Sequence, residues 1–299
     1  MTLEQYMREI WLMNKQYGQE EELYPLINML LRDGANTEKL SIRDVHNAKR
    51  FCENNLRKYI NGFGGYPDLA IWNEQFGEKE DEKVILNRIY GCVEVKCNIK
   101  NPKQVEGEVK VKIELEQPEQ KKNSEQDEVK IVAENKSEQP KQENYFIKRN
   151  NTKIYLHYAD TGNATVEGQF LGELLWYGKV LYTDGLTWKY YKLSEPFLKE
   201  NSDIRNKWLD EEKKNELPKG SKEYKTWIFK QTSGNILKII SKDIGDLTEI
   251  YKKIEDNKIK DKTSIPTFDS QDYDKWKNFK TNLATIDWTE DIFLCNRSQ

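Results

Sequence analysis

Two short stretches place carboxylates where a core strand ordinarily carries hydrophobes: Tyr66-Pro67-Asp68-Leu69-Ala70-Ile71-Trp72 and Cys92-Val93-Glu94-Val95-Lys96. Side chains alternate along a strand, so Glu94 and Lys96 share one face while Val93 and Val95 take the other. Burying such charge is costly unless it is paired or holds a metal ion. An Asp, a Glu and a Lys on one strand pair therefore point to a divalent-metal site suited to phosphodiester cleavage. The competing reading is a strand pair with solvent-facing charge. Glu-x-Lys alone discriminates little, because Glu108-Val109-Lys110 and Glu128-Val129-Lys130 repeat it. Those copies lie in a stretch without Trp, Tyr or Phe, whereas Glu94 follows Ile89, Tyr90, Cys92 and Val93. Pro-Asp occurs once, inside an apolar run and a hairpin-like distance upstream of Glu94.

The elements that must position these residues are set by periodicity. Leu3, Tyr6, Met7, Ile10, Trp11 and Met13 recur at helical spacing over residues 3–16. Glu20-Glu21-Glu22 leads into a mostly buried helix from Leu23 to Arg32, with Pro25 tolerable near its start and Asp33-Gly34 at its end. Ser41 with Asp44 resembles a helix N-cap and predicts a helix to about Ile60. The basic residues on that segment read either as a solvated face or as phosphate contacts. Asn61 to Gly65 is a flexible turn, succeeded by strands at 66–72 and from about Val84 to Cys97. Gly91 inside the second strand signals a bulge or a close backbone approach.

From about residue 100 to 144 the chain is dominated by Glu, Lys, Gln and Val and repeats itself imperfectly, which predicts an insertion that is disordered or weakly hairpin-like. Order returns with a strand at 153–159, a helix from Thr165 to Tyr177 that carries Gln169, and a hairpin whose Asp184-Gly185 turn joins 180–183 to 186–191. Beyond lie a polar region with Trp208, a strand pair at 225–230 and 236–240, and helices around 243–256 and 271–283. Trp276 and Trp288 are expected to anchor this tail in a core.

The totals restrict the alternatives. A chain of 299 residues forms one large domain or two modest ones, and eight Trp, sixteen Tyr and ten Phe suffice for a core despite 33% charged residues. A net charge of −3 offers no global signal for nucleic acid, so such binding must use a local basic face or a bound cation. Cys52, Cys92, Cys97 and Cys295 are scattered, which argues against a disulfide scaffold and, with only His46 and His157 to help, against structural zinc. No apolar run approaches the length of a membrane span, and a cytoplasmic location without membrane partners is expected. Neither His sits in a Ser–His or Cys–His nucleophile context, and no phosphate-cradling Gly-rich loop precedes a helix.

The order Glu20, Pro67-Asp68, Glu94-Val95-Lys96, Gln169 resembles the PD-(D/E)XK nuclease superfamily. The run Glu20 to Leu31 is similar to the glutamate-led first helix of nuclease domains in restriction–modification enzymes. Gln169 to Tyr177, with the strand–turn–strand from Val180 to Tyr191, is similar to their glutamine-bearing helix and its succeeding strand–turn–strand. Position 173 departs from the pattern: Glu173 stands where an aromatic or basic residue is more usual. The insertion between Lys96 and Gln169 is long, and no methyltransferase motif accompanies the likeness.

The resemblance implies an α/β fold: a restriction-endonuclease-like core with a central mixed β-sheet flanked by helices. Residues 1–195 would form this core around the insertion, and 196–299 a C-terminal α+β extension that completes the core, dimerises or contacts DNA. It implies Mg²⁺, with Mn²⁺ as its substitute, held by Asp68, Glu94 and the main-chain carbonyl of Val95. Lys96 would orient the attacking water and stabilise developing charge, while Glu20 and Gln169 would hold outer positions. Which of Glu20, Glu21 and Glu22 serves the site stays open. The implied activity is DNA endonuclease in restriction or defence, with a homodimer possible. Two rival classes remain: a nucleic-acid-binding module on an inactive nuclease-like core, and a structural or effector protein with ordinary surface charge.

Overall fold

The structure, a computed structural model, describes residues 1–16, 18–34, 40–46, 54–78, 82–96, 107–115, 143–149, 152–154, 166–193, 205–206, 209–210, 236–260 and 267–290. It is α/β, with a mixed sheet flanked by helices. The strands are β1 (Leu40–Asp44), β2 (Leu69–Asn73), β3 (Ile89–Val95), β4 (Gly107–Leu115), β5 (Glu143–Arg149), β6 (Thr152–Ile154), β7 (Lys179–Thr183), β8 (Thr187–Leu193) and β9 (Ile236–Asp246). They form one sheet in the order β1-β2-β3-β7-β8-β9-β4-β5-β6. Every pairing is antiparallel except β3 with β7. A parallel pair needs a crossover. The helix that packs on both strands lies on that connection.

The helices are α1 (Leu3–Gln16), α2 (Leu23–Arg32), α3 (Asn54–Ile60), α4 (Glu82–Asn87), α5 (Val166–Tyr177), α6 (Thr248–Lys260) and α7 (Ser270–Ala284), with a short 3₁₀ turn at Glu20–Glu22. In α1 the buried set Leu3, Tyr6, Met7 and Ile10 matches the expected helical spacing. Pro25 sits in the first turn of α2, where a missing N–H leaves no intrahelical bond unmade. α1, α2, α6 and α7 share one core with Ile42, Leu69, Ile71, Val93, Val95 and Leu181 on one sheet face. Alternation sends Cys92 and Glu94 to the opposite face, towards α5. Among the described residues no helix is long and apolar enough to cross a membrane.

Several sequence expectations change. Ser41–Asp44 is strand β1, not a helix start. Leu40 and Ile42 alternate into the core and the segment pairs with β2, so the ladder outweighs the capping signal. Of the helix predicted there, Asn54–Ile60 is helical, and residues 47–53 lie outside the described residues. The strand expected from Val84 begins only at Ile89. Before it, Glu82–Asn87 is helical, with Ile85 and Leu86 buried, because a short apolar run does not distinguish helix from strand. β2 begins at Leu69: Pro67 has no N–H to donate, and the Asp68 carbonyl accepts from Val45 N at 3.0 Å. β4, within the insertion, pairs with β5 at and beyond its end, and β4 extends the sheet from β9. The segment predicted as helix from 243 is still strand to Asp246. The proposed strand at 225–230, most of that at 153–159, and Trp208, Cys52, Cys97, Cys295 and His157 lie outside the described residues.

Residues 236–260 and 267–290 of the tail share the sheet and the core. β9 pairs with β8, and Trp276, Phe279 and Trp288 join the cluster that contains Leu3 and Val93. The fully buried Lys179 on β7 donates to the carbonyls of Asp287 (3.0 Å), Trp288 (2.8 Å) and Glu290. Gly91 serves both functions its position suggested. The β2–β3 register slips opposite it, and a Cβ there would lie 2.7 Å from the Trp288 ring.

The turn Asn61–Gly65 is a packing device. Gly62 and Gly65 exchange backbone hydrogen bonds, and Gly65 adopts φ +101. The turn lies so close to α5 that a Cβ on Gly172 would sit 2.5 Å from Gly64 N, and one on Gly64 would sit 2.4 Å from Gln169 O. Trp176 Nε1 donates to Tyr59 O at 2.9 Å and the Tyr177 hydroxyl to Ile60 O, pinning α5 to the end of α3. Gly→Ala inside a helix ordinarily stabilises by about 1 kcal/mol. Gly172→Ala is expected to do the reverse, lowering stability by about 2 kcal/mol in urea unfolding, because the obstructing atoms are backbone.

Candidate active site

The antiparallel register that sets Leu69 opposite Val93 brings Asp68, just before β2, beside Glu94 near the end of β3. Lys96 comes immediately after β3, and its N–H donates to Thr183 O at 2.9 Å, so the backbone that carries it is held by β7. The turn Gly62–Gly65 presses α5 against this corner and presents Gln169 and Glu173 to Glu94. α2 and the turn before it deliver Tyr24 and Glu20 from the other side.

Each expected side chain has a defined place. Asp68 accepts from Val95 N through Oδ2 and from the Tyr24 hydroxyl through Oδ1, both at 2.6 Å. Glu94, 1% exposed, accepts from Gln169 Nε2 at 2.8 Å and forms an ion pair with Lys96, both through Oε1. Lys96 Nζ also donates to Val95 O at 3.0 Å and stands 3.6 Å from Glu20 Oε1. Asp68, Glu94, Lys96, Glu20 and Gln169 are thus brought together. Of the three adjacent glutamates, Glu20 is the one paired with Lys96, whereas Glu21 is exposed.

Two members escaped the sequence. Tyr24 reads as one more core residue of α2, yet its hydroxyl orients Asp68. Glu173 is fully buried, and its Oε1 accepts from Gln169 Nε2 at 3.0 Å, so one amide nitrogen bridges two carboxylates. A signal was present in both cases. Tyr24 and Glu173 each lie four residues after an expected site residue, and Glu173 shares a helix face with Gln169, one turn along.

The charge balance is unusual. Three carboxylates, of Asp68, Glu94 and Glu173, lie buried beside the Lys96 ammonium. Burial, and then Asp68, push Glu94 up to about 8, against the pull of Lys96. Burial, and then Glu94, raise Glu173 well above the usual carboxylate range. Burial raises Asp68 too, although Lys96 and Tyr24 oppose it. Burial disfavours the Lys96 charge, but Glu94 and Asp68 more than offset this and raise it above the ordinary lysine range. Among the described residues, Glu94 Oε2 and Glu173 Oε2 are buried without a hydrogen-bond partner. A proton between the two groups, or a nearby cation, would supply what is missing.

The donor set suits a hard cation: carboxylate oxygens of Asp68 and Glu94 and the Val95 carbonyl are the oxygen ligands that Mg²⁺ and Mn²⁺ accept, and an orphaned buried carboxylate oxygen adjoins them. No group of three or more His, Cys, Asp or Glu side chains that could hold a metal ion is found among the described residues. The expected ligation uses two such side chains and one carbonyl. No protein-family model matches the chain, and no curated protein or solved structure matches it.

The carboxyl shifts set a pH dependence. Glu94 moves from an ordinary value of 4.5 to about 8, so between these values the folded protein holds more protons than the unfolded chain. Stability therefore falls as pH rises through that window, with a slope of at most about 1.4 kcal/mol per pH unit for each extra proton held. Glu173 and Asp68 act in the same direction. The raised Lys96 contributes a constant stabilisation there, lost only above the ordinary lysine value of 10.5. The urea midpoint of the metal-free protein is expected to drop between about pH 5 and about pH 8, and Glu94→Gln to flatten part of that slope.

Proposed function

We propose that this chain is a divalent-metal-dependent endonuclease with a PD-(D/E)XK-type site on a restriction-endonuclease-like core, hydrolysing phosphodiester bonds in DNA in a restriction or defence role. The observation that carries this is the convergence of Asp68, Glu94 and Lys96, from β2 and β3, with Glu20 and Gln169 from separate helical segments. A mixed sheet flanked by helices supports this reading.

Asp68, Glu94 and the Val95 carbonyl would hold the metal, which when bound polarises the scissile phosphate and makes its water a stronger nucleophile. The chain's own residues do the rest. Tyr24 and Val95 N fix both Asp68 oxygens, so this carboxylate cannot rotate away. Gln169, itself held by Glu173, fixes Glu94. Lys96 stands at the partly exposed edge of the cluster, where it orients the attacking water by hydrogen bonding and neutralises charge developing on the phosphate. Glu20 holds the Lys96 ammonium there. The products implied are 5′-phosphate and 3′-hydroxyl ends.

One observation favours the rival reading of an inactive, nucleic-acid-binding core. Protein donors engage both Asp68 oxygens, and Lys96 engages Glu94 Oε1 and Val95 O. Plasmid DNA separates the two. The proposal expects wild-type protein to nick or linearise it with Mg²⁺ or Mn²⁺ and not with chelator. Asp68→Asn and Glu94→Gln, which keep hydrogen-bonding shape, should lose at least about 10²–10³-fold in rate, and Gln169→Ala about 10–100-fold. Wild type and variants that bind DNA alike while none cuts would establish the binding module.

A further inference from the structure

We infer that Lys96 is the resident counter-cation of this site, and that on divalent-cation binding it yields Glu94 and the Val95 carbonyl and passes its ammonium to Glu20, an exchange that presupposes the metal site proposed above. Lys96 Nζ contacts Glu94 and Val95 O, two of the three groups assigned to the metal. An ammonium and a divalent ion on the same pair of oxygens would repel strongly in so dry a corner. One must leave, and only Lys96 is tethered to the chain.

The surroundings determine where it goes. Its backbone is held by Thr183 O, so the movement is a rotation of the side chain. Asp68 is no alternative destination, because it is itself assigned to the metal and an ammonium there would again stand beside the divalent ion. Glu173 lies deeper, fully buried behind Gln169. Glu20 is 3.6 Å away and its side chain is 30% exposed, against 1% for Glu94. A half-solvated carboxylate accepts the ammonium with little new desolvation. Glu20 is therefore a positioning residue: it favours metal binding without touching the metal, by stabilising the displaced lysine where water and phosphate arrive.

The exchange has two consequences, of which the second separates it from simple charge effects. The apparent affinity for metal is reduced by the fraction of molecules in which Lys96 still occupies the site. Removing Lys96 should therefore tighten binding even as it abolishes cleavage. Glu20 should matter to metal affinity only while Lys96 is present, whereas a carboxylate acting through its charge alone would matter in either background.

The test is a double-mutant cycle read by Mn²⁺ binding, monitored by calorimetry or by the resonance of free Mn²⁺, on wild type, Lys96→Met, Glu20→Gln and the double variant. Lys96→Met is expected to bind Mn²⁺ roughly tenfold tighter. Glu20→Gln should weaken binding about fivefold or more in the wild-type background and leave it nearly unchanged in the Lys96→Met background. If Lys96→Met does not fold, Lys96→Gln, which keeps a donor for Glu94, takes its place. Binding that is unchanged or weaker in the lysine variant overturns the exchange, as does an equal effect of Glu20→Gln in both backgrounds. Failure of wild type and every variant to bind Mn²⁺ overturns the metal site itself, and the exchange with it.

Discussion

The Lys96 ammonium is shared by carboxylates that the fold has gathered against their mutual repulsion: Glu94 beneath it, Glu20 at the surface, and Asp68 close enough to raise its affinity for protons. Without that positive charge, Glu94 would be an uncompensated anion in the interior, a situation that costs several kcal/mol or drives protonation. Even with it, the balance is incomplete, since Glu173 adds a further acid, and Oε2 of Glu94 and of Glu173 lack donors among the described residues. A proton held by Glu94 or Glu173 reduces that imbalance, which is why both groups are raised.

Such an arrangement persists only if the surrounding structure holds each group in place. The glycines of the 62–65 turn let it approach the backbone of α5 closely, which locates Gln169 and Glu173 relative to Glu94. The parallel pairing of β3 with β7 fixes the end of β3. β7 is in turn locked to the C-terminal segment by the buried Lys179, while Trp288 covers Gly91. Residues more than a hundred positions away in sequence thereby brace the strand that carries Glu94.

Much of the framework was legible in one dimension because its signals are local. The period-3.6 pattern of α1, the Asp184-Gly185 hairpin and the Gln169-bearing helix appear where the sequence places them. Local signals failed where two structures could satisfy them. Ser41 with Asp44 caps a helix as well as it opens a strand, and Ile85-Leu86 buries itself either way. Pairing with β2 decided the first case. The glycines at 62–65 resembled a flexible turn because their real constraint, Gly172, lies over a hundred residues away.

The sequence by itself determined the chemical inventory: one Pro-Asp, one Glu-x-Lys in an apolar context, a glutamine on a later helix and a glutamate before an early one. Residue type and alternation are local properties, and they suffice to say which groups share a face. Only the tertiary structure decided that Glu20, rather than its neighbours, meets Lys96, that Tyr24 orients Asp68, and that Glu173 adds a buried acid. Those facts depend on distances between elements set by sheet register and backbone packing, which no local pattern encodes.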